Sequence, residues 1–92
     1  MRKQGASYTN AANTLWELAR GRSARVMRVT SPEPAMERRL KDLGLIPGTW
    51  VTCMGVGPFG GPHAYWIRGA VIALRREDAE GIFLSAPEKN AV

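Results

Sequence analysis

Apolar positions along the chain recur at two different spacings, and each spacing predicts a kind of element. From Met36 the apolar residues fall at Met36, Leu40 and Leu43, one face of a helix. Glu37, Arg38, Lys41 and Asp42 lie mostly outside that stripe, where Glu37–Lys41 and Arg38–Asp42 are each spaced for a helical ion pair. Pro34 suits the first helical position and Gly44 a left-handed C-terminal cap, so the pattern predicts a helix over Ala35 to Leu43. Elsewhere the spacing is that of strands. Ser23 to Thr30 alternates, with Arg25, Met27 and Val29 on one side and Val26, Arg28 and Thr30 on the other. Trp50 to Val56, His63 to Ile67, Val71 to Leu74 and Ile82 to Leu84 complete five short strands.

The punctuation between them is strong. Gly57-Pro58-Phe59-Gly60-Gly61-Pro62 has to be a loop, Arg68-Gly69-Ala70 a turn, and Leu45-Ile46-Pro47-Gly48 an apolar turn after the helix. Thr14-Leu15-Trp16-Glu17-Leu18 reads as one helical turn, with Thr14 and Glu17 at capping-box spacing and apolar side chains to plug a core. Arg76 to Glu80 reads as another, stopped by Gly81. Residues 1–13 are expected to be a disordered basic tail and 86–92 a loose C-terminal tail, leaving one domain over 14–85. The expected fold is mainly β: a small, partly open barrel of about five strands with one α-helix inserted after the first strand.

Composition narrows the function classes. Ninety-two residues, 45% of them hydrophobic, support one modest core and leave little material for a deep cleft. The longest apolar run, Ala70 to Leu74, is far short of the ~20 residues a spanning helix needs, and the first residues lack the apolar stretch of a secretory signal. A single cysteine, Cys53, forms no internal disulfide, so the expected location is the cytoplasm, without membrane insertion. The net charge of +5 is concentrated in residues 1–30, where six arginines and lysines stand against Glu17 alone. That end of the molecule favours an anionic partner or simply a solvated surface.

Taken together, Arg39-Leu40-Lys41-Asp42-Leu43-Gly44-Leu45-Ile46-Pro47-Gly48-Thr49, Ile67-Arg68-Gly69 and Ala73-Leu74-Arg75-Arg76-Glu77-Asp78-Ala79 resemble the FeoA family, with Phe59-Gly60-Gly61-Pro62 at the place of that family's glycine- and proline-containing loop. The resemblance runs from about Leu15 to Leu84. It implies an SH3-like β-barrel with an inserted helix. It also implies a non-catalytic cytosolic accessory or regulatory role in bacterial ferrous iron transport, beside FeoB, a membrane transporter with a cytosolic GTP-binding domain. A docking module needs exposed apolar and charged groups near turns. The candidates are Arg38, Arg39, Leu45, Ile46, Phe59, Arg22 and Arg25, although the apolar ones among them serve equally well as caps on a core. Open strand edges also allow self-association.

Catalytic and metal chemistry find little to work with. One Cys and one His fall short of the ligand sets that structural or catalytic metal sites use. If Val56 pairs with His63, Cys53 faces Trp66, too far from His63 for a shared metal or a nucleophile–base pair. No cofactor is required, and His63 is left as a candidate for weak surface binding of a divalent transition metal. The glycines lack the Gly-Lys-Ser/Thr of a phosphate loop. Arg38, Arg39, Arg75 and Arg76 lie near turns from which an arginine could reach a phosphoryl group, but ion pairing with Glu37, Asp42, Glu77 and Glu80 is the simpler role. The alternative function is a small basic nucleic-acid-binding domain, with Arg20, Arg22, Arg25 and Arg28 beside Tyr8, Trp16 and Trp50. The neutral C-terminal two-thirds disfavours it, and the aromatics lie where a core needs them.

Overall fold

The computed structural model describes residues 13–85. The five strands are β1 (Ser23–Val29), β2 (Trp50–Gly55), β3 (His63–Ile67), β4 (Ala70–Leu74) and β5 (Ile82–Leu84). One α-helix, α1 (Pro34–Asp42), follows β1, and a single turn, α2 (Arg76–Ala79), precedes β5. All pairings are antiparallel, in the order β4-β3-β2-β1-β5. The sheet does not close: β4 and β5 remain its two edges. Of the tails expected at residues 1–13 and 86–92, residues 1–12 and 86–92 lie outside the described residues, whereas Asn13 is held by backbone hydrogen bonds with Leu84 and the Glu17 carboxylate.

Local chemistry accounts for each element. Pro34 opens α1 at its first turn. A Schellman motif closes it: the Gly44 N–H donates to Lys41 O (2.9 Å) and the Leu45 N–H to Leu40 O (3.1 Å). The second bond requires the φ of +109° that Gly44 adopts, which turns the Leu45 N–H back over the helix end. Such a motif is usually sealed by an apolar contact between the third-last helical residue and the one after the glycine. Here those are Leu40 and Leu45, both buried in the core. Between β3 and β4, Arg68 (φ 50°) and Gly69 (φ 88°) form a two-residue turn with both φ positive, the type I′ geometry that suits the twist of a hairpin. The Glu37–Lys41 ion pair forms at 3.0 Å.

The core lies between the inner face of the sheet, α1 and the N-terminal 3₁₀ turn at Leu15–Glu17. That turn plugs the open side. Leu15 and Leu18 are buried, Thr14 bridges to Phe83, and the Leu84 N–H donates to Asn13 O (2.9 Å). The Glu17 carboxylate accepts from the backbone N–H groups of Asn13 and Thr14, as its spacing from Thr14 suggests.

Two irregularities change the faces expected from strict alternation. The β1–β5 register shifts between Val26 and Arg28. Val26 and Val29 therefore both point into the core, while Arg25, Met27 and Arg28 are all exposed. A second shift between Cys53 and Gly55 sets Cys53 opposite Tyr65 rather than Trp66. Because side chains alternate, that one-residue difference turns Tyr65 inward and Trp66 outward.

Candidate protein-docking face

The outer face of β1–β4 is built by the register just described. Ser23, Thr52, Trp66 and Val71 form one continuous row across four strands. The next row pairs Arg25 with Trp50. Trp50 and Trp66 are diagonal neighbours on one face, close enough for one ligand to touch both. Trp66 is 45% exposed, Trp50 41%, Met54 50% and Val71 58%. Large apolar groups gathered on one surface in this way mark an interaction site more often than chance. Ser23 and Thr52 share a 2.7 Å hydroxyl hydrogen bond, and the Arg25 guanidinium lies 4.7 Å from the centre of the Trp50 ring. No Asp or Glu occurs anywhere in β1–β4. The charge of this face is therefore wholly basic.

The β2–β3 connection extends the surface. Phe59, in the 3₁₀ turn Pro58–Gly60, is fully exposed and held at φ 55°, a left-handed conformation that costs a non-glycine residue on the order of 1 kcal/mol. Pro58 and Pro62 stiffen the loop, and exposed Val56 and Met54 lie on its β2 side. An aromatic group on a stiffened backbone suits insertion into a partner's pocket, because little backbone entropy remains to be lost there.

The sequence-derived candidates fall on several elements rather than one patch. Arg22 and Arg25 are exposed at and just before β1, beside the outer face. Phe59 is in the loop above it, and Ile46 is 40% exposed in the turn after α1. Arg38 and Arg39 are exposed on α1. Leu45 is corrected: it is fully buried, because it closes the helix cap against Leu40. The assignment of the aromatics to the core also needs correction. Trp16 packs against the core as expected, but Trp50 and Trp66 face outward. Tyr8 lies outside the described residues. Trp66, Met54 and Val71 did not emerge as functional candidates from the sequence, although the run of alternating residues in β2 and β3 contained the signal.

His63 is also corrected, since it is no surface residue. It is 5% exposed, its ring stacked on Trp16 at 3.7 Å between centroids. The Tyr65 hydroxyl donates to Leu15 O (3.1 Å) and has its remaining contact with His63 Nδ1 at 3.2 Å, which assigns the Nδ1–H tautomer to a neutral imidazole. Burial pulls the His63 pKa below its usual 6.5. Below that value the unfolded chain takes up a proton that the native state resists, so stability is present above pH 6.5 and is lost as the pH falls. The unfolding free energy should fall as the pH drops below 6.5, by at most about 1.4 kcal/mol per pH unit, and His63→Phe should flatten that dependence.

Cys53 is buried, and its thiol donates to Gly55 O at 3.8 Å. Burial raises its pKa, against smaller lowering effects from that hydrogen bond and from Arg20. A buried neutral thiol is a core residue, not a nucleophile. Arg75 pairs with Asp78 (3.6 Å) and Glu77 (3.7 Å), and Arg76 with Glu80 (2.8 Å). Among the described residues, no three His, Cys, Asp or Glu side chains stand together as a metal site.

The FeoA domain model matches residues 13–86. No curated protein sequence matches the chain. Among solved structures, FeoA of Stenotrophomonas maltophilia, complexed with zinc, is 32% identical, with 87% of this chain and 100% of that one covered at a TM-score of 0.75. The FeoA protein of Chlorobium tepidum is 36% identical, with 85% and 73% covered and a TM-score of 0.75. A manganese-dependent transcriptional repressor shares the fold at 21% identity and a TM-score of 0.71, the match spanning 47% of that chain.

Proposed function

Because the chain belongs to the FeoA family, a family of small SH3-like domains associated with ferrous iron transport, we propose that it is a non-catalytic cytosolic accessory module that docks on a FeoB-type membrane transporter. The observation that carries the reading is the outer sheet face, where exposed Trp50, Trp66, Met54 and Val71 share an acid-free surface with Arg25. Its chemistry is that of an interface core with a basic rim.

Two exposed tryptophans beside arginines also form the kind of stacking surface used on single-stranded nucleic acid, which supplies a second reading to be tested alongside the first. The experiment measures binding of the purified full chain to detergent-solubilised transporter by biolayer interferometry. Trp66→Ala should weaken binding at least tenfold, as truncating a central aromatic anchor does, while changing stability by less than about 1 kcal/mol. Phe59→Ala should weaken it less. No binding in mild detergent, or equal binding by wild type and both variants, overturns the docking role. Binding to oligo(dT) whose affinity falls steeply with salt would establish the nucleic-acid reading instead.

A further inference from the structure

A second surface lies away from the outer face, where the free edge of β4 runs beside α1. A groove of about 410 Å³ separates the two elements. Its floor is apolar: Met36, Leu40 and Leu43 from the helix, Ile72 and Leu74 from the strand. Leu43 is 36% exposed and Met36 partly so, which leaves the helix wall incompletely covered.

The backbone of β4 decides what can enter. Ile67 and Ala70 flank a two-residue hairpin turn and therefore form a hydrogen-bonded pair, as do Tyr65–Ile72 and His63–Leu74 at alternate positions. Val71 and Ala73 occupy the non-bonded positions toward β3, so their N–H and C=O groups point out of the sheet along the groove. Among the described residues, no strand pairs with that side. Edges of this kind are usually blunted by charge, proline or a covering segment. Here the edge is Ala70-Val71-Ile72-Ala73-Leu74, with neither charge nor proline.

The geometry points to a peptide-binding groove: an extended segment from a partner protein adds to β4 as a sixth strand and lays alternate apolar side chains against Met36 and Leu43 of α1. Edge strand and helix together supply main-chain hydrogen bonds on one side and side-chain pockets on the other, the general form of recognition by strand addition. Charge specifies the occupant. Arg39 and Arg75 line the groove, and Arg39 makes no ion pair among the described residues. The sole acid in the lining, Asp78, is mostly buried and engaged with Arg75. The segment therefore carries an Asp or Glu next to its apolar positions. A second copy of this chain fits poorly. The β4 edge of a second copy, Ala70–Leu74, carries no acid to set against Arg39 and Arg75 of the groove.

Random peptides displayed on phage and selected against the full chain test the proposal, with the enriched sequences then synthesised and titrated. The expected sequences alternate apolar residues and contain at least one acid. Ala73→Pro should weaken their binding at least tenfold. It removes an outward N–H while leaving the β3 ladder intact, and prolines are tolerated at strand edges. Arg39→Glu should weaken binding about fivefold or more, and more so at low salt. On peptide addition the amides of Val71 and Ala73 should gain protection from hydrogen exchange. Should Ala73→Pro fail to fold, the Arg39→Glu variant and the exchange data decide the matter. Failure to enrich any such peptide, binding indifferent to these changes, or selection of basic sequences overturns the proposal. So does a dimer in analytical ultracentrifugation that Ala73→Pro dissolves, since the occupant would then be a second copy. Trp66→Ala should leave peptide binding unchanged, which separates a failure here from a failure of transporter docking.

Discussion

Leu15→Ala is expected to lower the unfolding free energy by about 3 kcal/mol, the usual range for a fully buried leucine being roughly 2–5 kcal/mol. Leu15 is completely buried, although it belongs to a 3₁₀ turn of only three residues. So short a turn has no stability of its own. It is held by what it inserts into the core and by its contacts with β5 and Tyr65. The Tyr65 hydroxyl donates to the Leu15 carbonyl, so loosening the turn also deprives a buried donor of its partner. Urea denaturation should show a lower midpoint, and thermal unfolding should move down by about 10–20 °C for a domain of this size. An unchanged midpoint would mean that the turn does not seal the core in solution.

Gly81→Ala is expected to cost a similar amount, about 3 kcal/mol, for a different reason. A Cβ at Gly81 would lie 2.3 Å from Thr30 O and 3.3 Å from Thr30 C. Those are backbone atoms, so rotating a side chain brings no relief. The same pair of residues is joined by the Thr30 N–H donating to Gly81 O at 2.8 Å and the Thr30 hydroxyl to the same oxygen at 3.1 Å. Separating the chains to admit a methyl group therefore also stretches the bonds where the end of β1 meets the start of β5. Chemical denaturation should show the loss with an unchanged slope. Gly48→Ala is the control, because no atom lies within 4 Å of the Cβ it would add and its penalty is confined to the positive φ of 92°.

The elements were largely legible before any coordinates. β3 and β5 occupy the ranges their residues suggested, and α1 begins one residue earlier and ends one earlier than its apolar stripe implied. These features are local: proline at a helix start, glycine at a cap, positive φ at Arg68-Gly69. Nearby residues decide them, so nearby residues reveal them. The surfaces were harder to read. Leu45 looked like a docking residue because it follows a helix in an apolar turn, yet the cap that the same sequence encodes folds it back onto Leu40. His63 looked available for weak surface metal binding because it is the one histidine in the chain, but it is stacked under Trp16.

By itself, the sequence determined the element order, the positions of the turns, the mainly β class and the family, because each depends on residues adjacent in the chain or on an ordered set of motifs. Tertiary structure alone decided which side chains meet solvent. The register shifts at β1–β5 and β2–β3 turned Arg28 and Trp66 outward and Tyr65 inward, and strand alternation makes a single residue of offset enough to reverse a face. Neighbouring residues do not fix that offset. It is set by the pairing of segments far apart in the chain, competing to bury the most apolar surface, and the outer face exists as a result of it. The β4–α1 groove exists because the open sheet leaves β4 as an edge beside the helix.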